Sequence, residues 1–192
     1  MIRPWICFFS QTGSEICNLA EKLDRSPSAI ITNRTPEYVK ERGNPKLQQY
    51  EQFIRYIPAK PTLEDYNRVL EPYLLPLITL HGYLRIVPAK ICDRYEIYNL
   101  HPGLITKFPE LKGKDPQRRA FESWHKEAGC VIHKCTAELD SGAIVTEKSI
   151  SIAGHKTVAS VIEDLHKLAL VTWLDFFKNY ESTNSSGLHL LR

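Results

Sequence analysis

The stretch NLHPGLITKFPELKGKDPQRRAF, residues 99–121, places an amide, an imidazole and a proline within four residues, just after the short alternating run RYEIY. A connection that only had to turn would manage with Gly, Asn and Asp. Asn99 and His101 are instead suited to chemistry at a carbonyl. An amide can donate to a carbonyl oxygen as it becomes an oxyanion. A histidine can donate a hydrogen bond or move a proton. Asp140 follows in TAELDSGA. Its carboxylate could orient that histidine or a bridging water, or take a proton from an attacking amine. Together the three suit attack on an acyl carbon without a covalent enzyme intermediate, since no Ser or Cys stands in a nucleophile-elbow pattern. The competing reading is that they serve turns and caps, as most loop Asn, His and Asp do.

Such residues need a frame. Ile2–Phe9, 29–32, 53–57, 77–80 and 95–99 read as strands, the first without strict alternation, as expected when both faces are buried. Ser14–Leu23, Thr62–Leu75, Asp115–Glu127 and Thr157–Tyr180 read as helices. In the second, Leu63, Tyr66, Leu70 and Leu74 point inward, and Pro72 kinks the helix or ends it early. Residues 33–52 are polar and irregular, with room for one weak helix. Residues 129–136 and 143–152 read as an antiparallel pair at the sheet edge. The pattern predicts an α/β fold: a single domain with a mostly parallel twisted sheet, helices on both faces and an antiparallel edge. Residues 1–180 form the domain and 181–192 a C-terminal tail. Ligands of such sheets bind at the carboxyl ends of strands. That puts the loops 10–14, 81–87, 99–113 and 136–142 on one rim.

The bulk numbers narrow the partners. Net charge is +3, from 25 basic and 22 acidic residues. That permits a small anionic substrate and gives no argument for nucleic acid. The longest apolar stretch, residues 73–80, is too short to span a membrane and contains a proline. Five scattered cysteines without a C-x-x-C pair read as reduced, mostly buried thiols of a cytoplasmic protein. The opening MIRPWICFFSQTGSE reads as a first strand rather than a signal peptide. His81, His125, His155, His166 and His189 show no ligand spacing, so no metal is expected. Trp5, Trp124 and Trp173 are expected in the core. Lys107, Lys112, Lys114, Arg118 and Arg119 could grip a phosphate or a ligand's carboxylate tail, or simply face solvent.

NLHPGLI followed by GCVIHKCTAELDSGAIV resembles the folate-dependent formyltransferase family, whose pattern is N-x-H-P-S-L-L-P and later S-V-H-x-x-x-x-x-L-D-x-G-x-I. GYLRIV (82–87) resembles the family's segment beside the folate pocket, and SQTGSE (10–15) stands where the glycinamide ribonucleotide members have S-G-N-G-S-N. The likeness runs over roughly residues 1–180 and is closest to those glycinamide ribonucleotide members. It implies a Rossmann-like formyltransferase fold and 10-formyltetrahydrofolate as co-substrate, without metal. It also implies roles. Asn99 would bond the formyl oxygen, His101 would support the tetrahedral intermediate, and Asp140 would position His101 and a water. The pteridine would lie against Leu84, Arg85, Val87 and the loop Thr136, Ala137, Glu138, Leu139 and Asp140, largely through backbone groups. His133 would be a second histidine near the site, or a strand histidine with a satisfied partner. Thr12, Gly13, Ser14 and Glu15 would meet the acceptor.

Departures matter as much. Gly103 and Thr106 replace the motif's Ser and second Pro. PELKGKDPQRRAF is longer than in glycinamide ribonucleotide members, and its GKDPQRRA looks more like G-x-x-P-x-x-x-A of transfer-RNA and sugar-nucleotide formyltransferases. Glu15 replaces an Asn of the phosphate loop, a like charge for a phosphate. Leu63 and Leu165 stand where an acceptor-binding Arg and Glu are expected, with Glu163 and Asp164 close by. The implied function is formyl transfer to a primary amine of a small, nucleotide-like acceptor, by a monomer or homodimer without nucleic-acid or membrane partners. The alternatives are glycinamide ribonucleotide itself as acceptor, hydrolysis of the formyl-folate, or folate binding without turnover.

Overall fold

The computed structural model describes residues 3–187. In chain order the elements are β1 (Trp5–Phe9), α1 (Ser14–Leu23), β2 (Ala29–Thr32), α2 (Pro36–Arg42), β3 (Ile54–Tyr56), α3 (Leu63–Leu70), β4 (Leu77–His81), α4 (Ala89–Arg94), β5 (Glu96–His101), α5 (Pro116–Glu122), β6 (Glu127–Lys134), β7 (Ile144–Ser151) and α6 (Val158–Gly187). Short 3-10 segments lie at Pro45–Phe53 and Pro109–Leu111. The strand order is β3-β2-β1-β4-β5-β6-β7. Strands β1 to β5 pair in parallel and β6 pairs β7 antiparallel, which is the expected mostly parallel sheet with an antiparallel edge.

The chain divides into two compact units. One holds the chain up to Asn99 together with Lys134–Ala143, and the other holds Leu100–His133 and the chain from Ile144 onward.

In the first unit every residue of β1 is buried, as a strand covered on both faces requires. Ile6 and Phe8 join Ile31, Ile78, Leu80 and Ile97 in a cluster closed by Tyr66 and Leu70 of α3 and Ile91 and Cys92 of α4. The alternate residues Trp5, Cys7 and Phe9 pair with Leu77, Thr79 and His81 on the opposite face. That face meets α1, whose Glu15 reaches His81. Helix α3 starts on a capping box, with Thr62 accepting from Asp65 N–H and Asp65 accepting from Thr62 N–H. It stops two residues before Pro72, so Leu74 lies beyond the helix at 81% exposure rather than inward. Residues 33–53 hold two elements instead of one weak helix, started by Thr35 and Asn44 with a proline after each cap. Helix α4 opens on Pro88, between the strands expected at 77–80 and 95–99, where the sequence predicts no element.

In the second unit Ala128 and Val131 of β6 pack with Ala120 of α5 and Val161 and Leu165 of α6. Thr172 and Phe176 of α6 are buried. Helix α6 runs on to Gly187, so residues 181–187 of the expected tail are helical; residues 188–192 lie outside the described residues, as does Ile2 of the first strand reading. Helix α5 ends at Glu122 rather than Glu127. Trp124 takes φ 58° and His125 N–H closes back on the Ala120 carbonyl at 3.1 Å, so the chain turns into β6. Trp124 is therefore 90% exposed and not in the core.

Candidate active site

Strand β5 extends to His101, so Asn99 and His101 stand on a strand rather than in the loop leaving it. Two residues apart, they point to the same face. Asn99 is opposite Leu80 in register and half-buried. It shares the α3 and α4 face with Ile97, Val87 and Tyr83.

The segment after β4 is fixed from below. Buried Ser10 donates to Asn33 Oδ1 at 2.6 Å and accepts from Leu84 N–H at 2.9 Å. Ser10 N–H reaches the Gly82 carbonyl at 3.2 Å. Arg85 Nε and Asn33 Nδ2 both donate to the Ala59 carbonyl, at 2.7 and 3.2 Å. The Tyr66 and Tyr83 hydroxyls meet at 2.8 Å. Val87 is buried while Leu84 and Arg85 are exposed, so the segment is tied down through its inner side. Asn33 belongs to no motif, and only the fold shows its part.

The loop carrying Asp140 is anchored beside β5. Cys135 N–H donates to the Ile97 carbonyl at 2.8 Å, and Lys134 N–H to Ala143 at 2.9 Å. Gly142 permits that closure: a Cβ there would lie 1.6 Å from the Lys134 carbonyl oxygen. Thr136 and Ser141 hydroxyls bond the Glu138 and Leu139 carbonyls inside the loop. Thr136–Leu139 are exposed, whereas Asp140 is 6% exposed at φ 49°. Burial, with the neighbouring Cys92 thiol and the Asp140 carboxylate adding to it, holds the Cys135 thiol well above its ordinary range. Asn99, the Asp140 loop and the segment 82–87 thus share β4 and β5 as their base.

His101 belongs to the second unit and is 5% exposed. Its Nε2 bonds the Leu111 carbonyl at 2.9 Å. A Cβ at Gly103 would come within 2.8 Å of that nitrogen and of Pro116 Cβ. The Gly that replaces the motif's Ser is therefore in close contact with the imidazole. His133 is 3% exposed on β6, at a bulge opposite Ile144.

The acceptor loop is closed on itself. Thr12 and Ser14 hydroxyls meet at 2.9 Å, Asn44 Nδ2 donates to Ser14 Oγ at 3.0 Å, and Ser14 N–H reaches Thr12 Oγ1 at 3.3 Å. Gly13 caps α1 at φ 70°, where a Cβ would meet Leu47 at 3.0 Å. Glu15, in the first turn of α1, bonds His81 Nδ1 through its Oε2 at 2.6 Å. The other His81 nitrogen meets Thr79 Oγ1 at 2.8 Å, and Trp5 Nε1 donates to the same hydroxyl at 2.8 Å.

The remaining candidates separate. Leu165 is core, and Glu163 and Asp164 are paired with Lys167. Leu63 packs against the first unit's cluster. Lys107 pairs with Glu127 and Arg118 with Glu122. Arg119 holds backbone carbonyls of residues 110–114. Among the described residues no group of three or more His, Cys, Asp or Glu is placed to hold a metal, and no helix is long and apolar enough to cross a membrane.

Comparison with known proteins adds a second line. A family model described as formyl transferase matches residues 7–174. A phosphoribosylglycinamide formyltransferase of Haemophilus influenzae is 32% identical over 158 residues, covering 79% of this chain and 71% of that protein. One of Bacillus subtilis is 32% identical over 113 residues, 58% of this chain and 56% of that protein, so the match spans little more than half of that relative. Among solved structures, the phosphoribosylglycinamide formyltransferase of Anaplasma phagocytophilum shares the fold at a TM-score of 0.76 and 24% identity, over 90% of this chain and 84% of that one.

Proposed function

The chain belongs to the formyl transferase family, and from that premise we propose that it moves a formyl group from 10-formyltetrahydrofolate to a primary amine of a small, nucleotide-like acceptor. The amine attacks the formyl carbon directly. Asn99 donates to the developing oxyanion, His101 supports the tetrahedral intermediate, and Asp140 positions His101 and a water and helps remove the amine's proton. The donor's pteridine lies against Leu84, Arg85, Val87 and Thr136–Leu139.

The observation that carries this reading is Asp140. A carboxylate kept 6% exposed sits in a loop tied through Cys135 N–H to the Ile97 carbonyl of β5, two residues before Asn99. Burying a carboxylate is costly, and such groups concentrate where chemistry needs them.

A second reading takes glycinamide ribonucleotide as the acceptor, and the relatives named phosphoribosylglycinamide formyltransferase favour it. The acceptor loop favours the first. Its hydroxyls are engaged with one another and with Asn44, and Glu15 brings a carboxylate to the helix end that a phosphate would seek. The test is absorbance-monitored conversion of 10-formyltetrahydrofolate to tetrahydrofolate with glycinamide ribonucleotide, amino-nucleotides and amino-sugars in turn. Turnover with glycinamide ribonucleotide at least equal to the others establishes the second reading. Turnover with another amine alone establishes the first. No acceptor-dependent turnover, across all three classes, removes both.

A further inference from the structure

We propose that Arg119 is a positioning residue for His101: through the Leu111 carbonyl it locks the imidazole's Nε2 in the protonated form. The claim about His101's orientation stands on geometry alone; its consequence for rate rests on the formyl-transfer reading.

The Leu111 carbonyl oxygen accepts two hydrogen bonds, from His101 Nε2 at 2.9 Å and from Arg119 Nη2 at 3.0 Å. A carbonyl has two lone pairs and no proton. Nε2 must therefore carry the hydrogen, an assignment made from the bonding partner. Proton exchange on the ring is then confined to Nδ1.

One side chain gathers that oxygen together with its neighbours. Arg119 Nε donates to the Lys114 carbonyl at 2.9 Å, Nη1 to Glu110, and Nη2 to Lys112 at 2.6 Å as well as to Leu111. Four carbonyls of the segment 110–114 converge on one guanidinium. Leu111 is anchored by its own side chain, 1% exposed in the second unit's core, while Lys112 and Lys114 beyond it are exposed and Gly113 takes φ 82°. A planar fork with five donors can make this set; a lysine ammonium cannot. Helix α5 delivers the fork, because Arg119 follows Pro116 by one turn, with Arg119 N–H bonded to Asp115 at 3.1 Å.

A Cβ added at Gly103 would lie 2.8 Å from both Nε2 and Pro116 Cβ, so the space beside that edge of the ring admits no added methyl. Loosening the 110–114 segment therefore moves the bond that fixes the tautomer.

The experiment is nitrogen NMR of imidazole-labelled protein, with the His101 signals assigned by their loss in His101→Gln, paired with steady-state kinetics. In the wild type, Nε2 reads as protonated across the titration and Nδ1 alone changes. In Arg119→Gln, neutral His101 becomes a mixture of tautomers. Transfer by that variant falls about 10- to 100-fold in kcat, the scale of a small misplacement, while both KM values stay within about twofold. Arg119→Lys gives no rescue. The proposal is overturned by an Arg119→Gln protein that keeps fully protonated Nε2. If that variant does not fold, the wild-type spectrum decides: neutral His101 with a bare Nε2 overturns the proposal too. The spectra are read without substrate, so this failure is separable from failure of the formyl-transfer reading.

Discussion

At the scale of residues, the two halves of the proposed chemistry rest on different kinds of support. Asn99 and His101 are two apart on one strand, so the backbone alone orients both. Asp140 depends on a loop whose closure needs Gly142. Asn99→Ala, His101→Ala and Asp140→Ala are each expected to lower single-turnover formyl transfer at least ~100-fold, the loss that follows removal of an oxyanion donor. Circular dichroism should show the fold retained, and near-normal turnover by His101→Ala would sink the mechanism. Glu15 calls for a different test. Its carboxylate partners His81, whose side chain is 1% exposed. Glu15→Ala leaves a buried ring nitrogen without that partner, and a thermal or urea melt should register about 1–3 kcal/mol of lost stability. Glu15→Gln keeps a side-chain acceptor but removes the charge, so the KM for a phosphorylated amine should fall; a KM that rises or stays put would separate Glu15 from acceptor choice. This pairing was not legible in the sequence. The residues were visible, but they lie 66 positions apart and only β1 between them in the sheet brings α1 over β4.

At the scale of elements, legibility followed the locality of the signal. Helix α1 and strand β2 match their expected bounds because a left-handed glycine opens the one and a run of buried aliphatics defines the other. The end of α3 was written in Pro72. Helix α4 was missed and residues 33–53 hold two elements where the sequence predicts one weak helix, because each is short: the latter two start on a side-chain cap and a proline, and α4 follows Pro88, rather than resting on a long apolar stripe. Strand β5 runs two residues past Asn99 because its pairing continues, which a local reading of N-L-H-P could not reveal. Trp124 misled because an aromatic usually signals burial, whereas here a left-handed turn that redirects the chain into β6 holds it outward. The same logic makes a prediction for the 134–143 loop. Gly142→Ala places a Cβ 1.6 Å from the Lys134 carbonyl oxygen, a backbone atom that cannot rotate away. The loop must open, so amide exchange at Lys134 should accelerate and transfer should fall along with Asp140's placement. Unchanged exchange at Lys134 would show that the closure is not set by Gly142.

At the scale of the molecule, the sulfur inventory gives a test in bulk solution. Cys7, Cys17, Cys92 and Cys130 are buried, Cys135 is partly so, and all five are free thiols. Burial pushes the Cys7, Cys92 and Cys135 thiols above their ordinary range, and Cys17 from 9.0 to about 11. The thiolate is the reactive species, so native protein at pH 8 should react slowly with a disulfide reagent, and denaturant should release all five thiols at once. The same shift is a statement about stability. Between the ordinary thiol value of 9.0 and about 11, the folded chain keeps the Cys17 proton while the unfolded chain has lost it. The folded state then binds more protons, so stability falls as pH rises through that window and the contribution is fully present below it. Urea melts at pH 8, 9, 10 and 11 should show that decline, and Cys17→Ala should flatten part of it while lowering stability at pH 8 through the small cavity it leaves. A Cys17→Ala protein whose stability falls with pH as steeply as the wild type would show that burial of this thiol is not what the alkaline loss reports.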